Sequence, residues 1–402
     1  MGKKLNSEVV LEAAERLFAE KGFVETTISE IANEAGVHET SVYAYFSNKK
    51  TLLFAIYAKY IQNATITLNG HFKGMRDPGP KLRKAIWHYL DDMKCSRNHA
   101  RLLMTGQRET SEFYESSYSN ELREYMRIIS EIVSAAQTEG VFRKDISFRL
   151  IRNMAMGAAV FSVFESVAHD RSYDPDELSD IIYRLVLKAA GPPSTPQNDV
   201  EGNSRKDKTE YRRGRIIETA TQAFSSKGFL GSTISEIANM ANLADGTLYA
   251  YFSTKEDILL SIPETFFRSL DSGDALFFAG IQPLEKALRK LIWQWIWLLW
   301  SKRDFARVLT LEIFRNMKFY STPGYQCYLD YLEKIRQVVR KGQEEGIFVK
   351  DVSLPTYLHM ITGTTDQYLI SHFLLGRPMA EIPELNNIVD LLVRAVKVGE
   401  DS

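Results

Sequence analysis

Residues 22–46 read GFVETTISEIANEAGVHETSVYAYF, and residues 228–252 read GFLGSTISEIANMANLADGTLYAYF. The offset is 206, and 14 of these 25 positions are identical. The same offset pairs Glu139-Gly140-Val141-Phe142 with Glu345-Gly346-Ile347-Phe348, Lys144-Asp145 with Lys350-Asp351, and Trp87 with Trp293. A constant offset over that span is the mark of a duplication: two full-length units joined without net insertion.

Each quoted stretch describes two short helices around a tight turn. Thr27 and Glu30 make the T-x-x-E capping pattern that opens a helix through Ile28, Ile31, Ala32 and Ala35. Gly36 supplies the left-handed backbone that reverses the chain. A second helix begins around His38-Glu39-Thr40, with Val42 and Phe46 facing inward. In unit two Thr233 and Glu236 form the cap, and the second helix starts at Ala244-Asp245-Gly246-Thr247. Asn242 stands at the turn, and asparagine also tolerates left-handed geometry. This is the physical outline of a helix-turn-helix, whose second helix can enter a DNA major groove.

Outward from the motif the periodicity stays helical. Val10, Ala13, Ala14, Leu17 and Phe18 fall on one face of a first helix, and Ile216, Thr219, Ala220, Ala223 and Phe224 repeat it. Further helices are expected near 49–69, 80–95, 99–108, 119–139, 146–169 and 175–190, each with a counterpart in unit two. Asp174-Pro175-Asp176-Glu177 is a helix start with a cap, a first-turn proline and a following acid. Strand-like alternation is nowhere sustained, so the class is all-α. The expected division is a DNA-binding head at 1–47, a helical regulatory body at 48–190, a linker at 191–208, a second head at 209–253 and a second body at 254–402. The linker, GPPSTPQNDVEGNSRKDK, is rich in Gly, Pro, Ser and Asn. Relaxed, it would span about 25 Å, and fully extended roughly 60 Å.

Composition bounds the function. The 402 residues are 45% hydrophobic and 25% charged, as in an ordinary globular protein. A formal net charge of −1 does not advertise nucleic acid, so that case rests on the motif. Cys95 and Cys327, the only cysteines, rule out a disulfide scaffold or a thiolate zinc cluster and suit a reducing cytoplasm. The N-terminus has no apolar signal core, and the most apolar run, Leu291 to Trp300, is too short for a bilayer. A cytoplasmic protein with no membrane partner is therefore expected. The seven histidines show no metal-ligand spacing. Neither a nucleophile constellation nor a glycine-rich phosphate loop is present, so neither an enzyme nor a cofactor is expected.

Both units resemble the TetR family of repressors. The pattern is carried by Phe18, Gly22-Phe23, Thr27-Ile28, Ile31-Ala32, Ala35-Gly36-Val37, Ser41-Val42-Tyr43, Tyr45-Phe46, Lys49 and Leu52. It recurs as Phe224, Gly228-Phe229, Thr233-Ile234, Ile237-Ala238, Ala241, Thr247-Leu248-Tyr249, Tyr251-Phe252 and Lys255. These motifs cover the N-terminal quarter or so of each unit, and the bodies match by helical layout only. Lys50, where the family usually has an acid, and Asn242 at the turn are departures. The resemblance implies that Thr27, Ser41, Tyr43, Lys49, Thr233, Thr247, Tyr249 and Lys255 hold DNA phosphates. It implies that Ser29, Glu39, Thr40, Ser235, Asp245 and Gly246 face bases. Hydroxyls, phenols and ammoniums suit phosphate oxygens, and an acid can accept from cytosine N4. It also implies pairing through the last two helices of each unit as a four-helix bundle. Small residues in Met154–Ala159 and Met360–Thr365 permit close approach there.

The implied function is a repressor binding a double-stranded operator and released by a small-molecule effector. The two units of one chain would form a pseudo-dimer, with pairing between two chains as the alternative. Other readings make one unit a dimerisation scaffold, or the chain a helical small-molecule-binding protein with vestigial heads. Trp293, Trp297 and Trp300 share a helix face and suggest either core packing or the aromatic wall of a pocket for a hydrophobic or aromatic effector. Tyr45 and Tyr251 are equally readable as core or contact. Arg205, Lys206, Lys208, Arg212, Arg213 and Arg215 are a solvated linker end or a flanking-phosphate clamp. His38 can touch DNA from the reading helix, whereas His88, His169, His359 and His372 read as satisfied structural residues rather than ligands.

Overall fold

The computed structural model of the chain describes residues 2–106, 110–191, 211–243, 245–249, 251–271 and 283–398. Among the described residues unit one has ten helices: α1 Gly2–Lys21, α2 Ile28–Glu34, α3 Glu39–Tyr43, α4 Lys49–His71, α5 Pro78–Cys95, α6 Arg97–Gly106, α7 Thr110–Glu115, α8 Ser119–Thr138, α9 Phe148–Ala168 and α10 Pro175–Ala190. Unit two repeats them as α11 Tyr211–Gly231, α12 Ile234–Met240, α13 Asp245–Tyr249, α14 Lys255–Asp271, α15 Leu284–Ser301, α16 Arg303–Val308, α17 Pro323–Glu344, α18 Leu354–Leu375 and α19 Ile382–Arg394. Where unit one has α7, unit two has a 3₁₀ turn at Met317–Ser321, and a π turn at Leu309–Ile313 extends α16. Among the described residues no strand forms, and the only ladder contact is a single bridge between Phe348 and Lys397.

Most helices expected from periodicity are present within a few residues of their expected bounds. The short α7 is an addition, since its six residues carry too few turns for a periodicity to register. Asp174 caps α10 by accepting from the Asp176 and Glu177 amides, with Pro175 in the first turn. Most of the linker expected at 191–208 lies outside the described residues.

Among the described residues two apolar cores form. One joins Val10, Phe18, Val42 and Phe46 of the first head with Leu53 and Tyr57 of α4 and with Leu102 and Phe113 further along its body. The other runs without a break through both bodies and into the second head, where Ile216, Phe224, Ile237, Leu248 and Phe252 belong to it. Burying each such large side chain is worth about 1.5–3 kcal/mol. The second core is continuous because α9 and α18 cross face to face. Gly157 and Gly363 meet backbone to backbone at the crossing. A Cβ on either would collide with the other's carbonyl, and one on Gly157 would sit 2.9 Å from the Thr364 nitrogen. Among the described residues α9 is the one helix long and apolar enough to cross a membrane. It packs against α5, α8, α10 and α18, and 89% of its apolar window is buried.

Around that crossing the contacts between units include polar and asymmetric ones. Tyr325 on α17 donates to Glu165 Oε1 (2.8 Å), and His169 Nε2 lies 3.1 Å from the same phenol. Ser162 Oγ is 2.9 Å from His359 Nδ1. Phe161 and Phe314 meet edge to face, with ring centroids 5.2 Å apart.

Candidate nucleic-acid interface

In each head α2 or α12 opens with a complete capping box. The Thr27 hydroxyl accepts from the Glu30 amide while Glu30 Oε2 accepts from the Thr27 amide at 2.8 Å. Thr233 and Glu236 repeat both bonds. Such a cap is worth about 0.5–2 kcal/mol. Lys21 and Lys227, each nine residues earlier, donate to the same glutamates at 2.8 and 2.6 Å. The Lys21 bond and then the Thr27 bonds push the Glu30 carboxyl down to about 2, and Glu236 is lowered by the matching contacts.

The turns that follow are superposable in their bonding. Gly36 has φ 64° and Asn242 has φ 54°, the left-handed region in both cases. The next amide returns to the helix at the same distance: Val37 N to Ala32 O and Leu243 N to Ala238 O, both 2.9 Å. Asparagine thus does the glycine's work. The reading helices α3 and α13 are five residues each, anchored inward by fully buried Val42 and Leu248 and by Phe46 and Phe252 just beyond.

That anchoring turns one face outward. Tyr43 and Tyr249 are 53% and 54% exposed. Thr27, Ser29, Glu39, Thr40, Thr233, Ser235 and Gly246 are exposed with them, and Ser41 is half-buried. The side chains of Asp245 and Thr247 lie outside the described residues. His38 is exposed at the start of α3 and makes no cap bond. Tyr45 is half-buried and Tyr251 exposed, so the matched pair does not share one environment.

Lys49 and Lys255 have a placement that the motif did not foretell. Lys49 Nζ donates to the Val24 and Thr26 carbonyls (3.0 and 2.8 Å) and lies over the Phe23 ring. Lys255 Nζ donates to Phe229 and Ser232 carbonyls (2.7 and 2.8 Å) and lies over Phe229. Each ammonium therefore ties the start of α4 or α14 to the loop before the helix-turn-helix. Motif matching identifies such a lysine but not which way its chain folds back. Nor did it single out Thr26 and Ser232, whose buried hydroxyls bind the Gly22 and Gly228 carbonyls at 2.8 and 2.9 Å and brace the same loops. Both stand at matched positions, and that repetition was the signal available.

Of the basic cluster before head two, Arg213 and Arg215 have described side chains. Arg213 turns inward over Phe252 and toward Glu264, 3.8 Å away. The tryptophan face on α15 also differs from a pocket wall. Trp297 is 44% exposed and stacks on half-buried Trp293, while Trp300 is half-buried. The tryptophan that faces the core is Trp295, whose indole donates to Thr365 at 3.0 Å. His88, His169, His359 and His372 each have a hydrogen-bond partner within the protein.

Comparison with known proteins agrees with this geometry. The family described as "Bacterial regulatory proteins, tetR family" matches residues 10–56 and again 216–262. The family "YsiA-like protein, C-terminal region" matches 60–189 and 277–395. The transcriptional repressor NicS of Pseudomonas putida is 24% identical over 48% of this chain and 96% of its own length. The fatty acid metabolism regulator protein of Bacillus subtilis is 24% identical over 44% of this chain and 92% of its own. Among solved structures, Bacillus subtilis FadR in complex with stearoyl-CoA covers 45% of this chain and 97% of its own, at 24% identity and a TM-score of 0.42. Each of these covers nearly all of its own length on less than half of this chain.

Proposed function

Because the chain belongs to the TetR family of bacterial DNA-binding transcriptional regulators, we propose that it is a ligand-responsive repressor whose two units act as a pseudo-dimer on one operator. The observation that carries this reading is the pairing of two intact heads with a cross-unit interface that like units could not reproduce. At the offset of 206, Tyr325 corresponds to Ser119, Glu165 to Ser371 and His169 to Leu375. Two copies of unit one would set Glu165 and His169 against Ser119, and two copies of unit two would set Tyr325 against Ser371. The tyrosine–carboxylate–imidazole contact exists only when unit one meets unit two.

Tyr43, Tyr249, Ser41, Thr247, Thr27 and Thr233 contact phosphates in this proposal, and Lys49 and Lys255 hold the loops that carry those contacts in place. Ser29, Glu39, Thr40, Ser235, Asp245 and Gly246 face bases. The effector lies in a helical body. A long-chain apolar molecule is the class to test first, since a relative is named for fatty acid metabolism. Such a repressor works in the cytoplasm, where its operator is. The effector shifts the heads' spacing by a coupling of about 1–3 kcal/mol.

The test is a gel shift at low salt with duplex from the gene's own upstream region, followed by titration with fatty acyl compounds and with aromatic acids. Binding relieved by one class supports the proposal. Failure to bind any duplex sinks it and favours vestigial heads.

A further inference from the structure

We infer that the two heads are held by different means and that Glu312 is the positioning residue through which the second body grips its head; this rests on the reading above that both heads engage DNA. Glu312 belongs to the π turn at Leu309–Ile313 and is 5% exposed. Its Oε1 accepts from the Phe229 amide at 3.0 Å, in the loop where α11 gives way to α12. The carbonyl of Phe229 accepts from Lys255 Nζ. One residue at the base of the helix-turn-helix is thereby gripped on both of its backbone groups, by the body on one side and by α14 on the other.

The π turn is itself anchored to the unit–unit crossing. Arg315, fully buried, donates to the Thr310 carbonyl and makes a two-pronged pair with Asp366 of α18 at 2.8 and 2.6 Å. Its guanidinium lies 5.5 Å from the ring of Phe164 on α9. A buried ion pair survives only when every donor and acceptor is met, and it fixes geometry more than it adds stability. A π turn also holds a backbone register that a regular helix would relax. Asp366, Arg315, the π turn and Glu312 therefore form a continuous polar relay from the α9–α18 crossing to Phe229. Unit one has Gly106, Glu109 and Val160 at the positions of Glu312, Arg315 and Asp366, so the carboxylate grip and the buried pair cannot be built there. The cores differ as well: the second head belongs to the core that runs through both bodies, whereas the first head packs with α4, Leu102 and Phe113 in a separate core.

The experiment uses the full chain and reads two things: amide hydrogen exchange at Phe229 and at its counterpart Phe23, and binding to duplexes in which one half-site is scrambled. In Glu312→Ala, exchange at Phe229 should rise about tenfold or more, the loss of a charge-assisted hydrogen bond. Binding through the half-site of head two should weaken, with Phe23 and the other half-site unchanged. Glu312→Gln keeps a neutral acceptor oxygen and should restore both in part. Asp366→Asn should raise exchange at Phe229 from the far end of the relay. Unchanged Phe229 exchange in Glu312→Ala or Asp366→Asn, or equal weakening at both half-sites, would overturn the inference. If the wild-type chain binds neither half-site duplex, the DNA reading fails by itself, and the exchange data still decide the grip.

Discussion

Tyr43 and Tyr249 present their phenols to solvent from helices whose other face is fully packed, so removing a hydroxyl leaves the fold untouched. Tyr43→Phe or Tyr249→Phe should lower affinity by a similar factor on every DNA sequence, because a phosphate contact positions without reading. Titration against a panel of single-base operator variants checks this, and a changed base preference would show that the phenols read bases. Glu30 offers a pH signature. Its carboxyl is depressed to about 2 by Lys21 and Thr27, so its contribution is whole above the ordinary carboxylate range near 4.3 and is lost as pH falls toward 2. Glu236, also lowered, behaves alike. Acid unfolding of the heads should therefore be less steep between pH 4 and 2 in a Glu30→Gln, Glu236→Gln protein, followed by circular dichroism. At this scale the caps and the left-handed turn were legible because they depend on residues three or four apart. The inward fold of Lys49 and Lys255 was not, since their partners lie more than twenty residues earlier.

Between elements, the puzzling Lys50 finds its explanation. It pairs with Glu112 at 2.8 Å, joining α4 to α7. At the offset of 206 the same two positions are Glu256 and Lys318, which pair at 2.6 Å with the charges exchanged. Asn316 adds a second bond to Glu256. Each of α4 and α14 thus matches the segment that follows it in its own unit and would repel the other unit's, since Lys50 would face Lys318 and Glu256 would face Glu112. The pairs are solvent-exposed, so each is worth only about 0.2–1 kcal/mol. Lys50→Glu should destabilise unit one by about that amount, and Lys50→Glu with Glu112→Lys should recover it; a double-mutant cycle in urea measures the coupling. Zero coupling would reduce the exchange of charges to coincidence. The clue was present in the sequence as two sign reversals at one offset, but only the contact between α4 and α7 joins them. The tryptophan face of α15 shows the opposite limit. Periodicity grouped Trp293, Trp297 and Trp300 correctly, yet aromatic side chains alone do not say which of two apolar faces turns inward. Leu288, Leu291, Ile292 and Trp295 won that competition.

For the molecule as a whole, the all-α duplication was legible because the repeat imposes one offset everywhere, and the small residues of α9 and α18 marked where two helices could approach, but only the structure shows Gly157 and Gly363 meeting backbone to backbone. Gly157→Val would force those backbones apart at a cost of about 1–3 kcal/mol or more. It should loosen the bundle, and light scattering would then report the consequence for assembly. The wild type should scatter as one chain of 45.9 kDa; a doubled mass would favour pairing between chains. The proposed intramolecular pairing would also free the operator from symmetry. A homodimer presents two identical reading helices and so selects a palindrome. Here Glu39-Thr40-Ser41 in one head stands against Asp245-Gly246-Thr247 in the other. Thr40 offers a hydroxyl and a methyl where Gly246 offers neither, and Glu39 reaches one methylene further than Asp245. Each well-placed base contact discriminates by about 1–3 kcal/mol, enough to change a half-site at one or two positions. Ser29 and Ser235 match, as do Tyr43-Ala44-Tyr45 and Tyr249-Ala250-Tyr251, so the rest of each half-site should be shared. Binding selection from random duplexes should return an imperfect palindrome whose halves differ where the helix starts touch. A strictly symmetric consensus would mean that like heads pair across two chains, and the asymmetric contacts around Tyr325 would then need another cause.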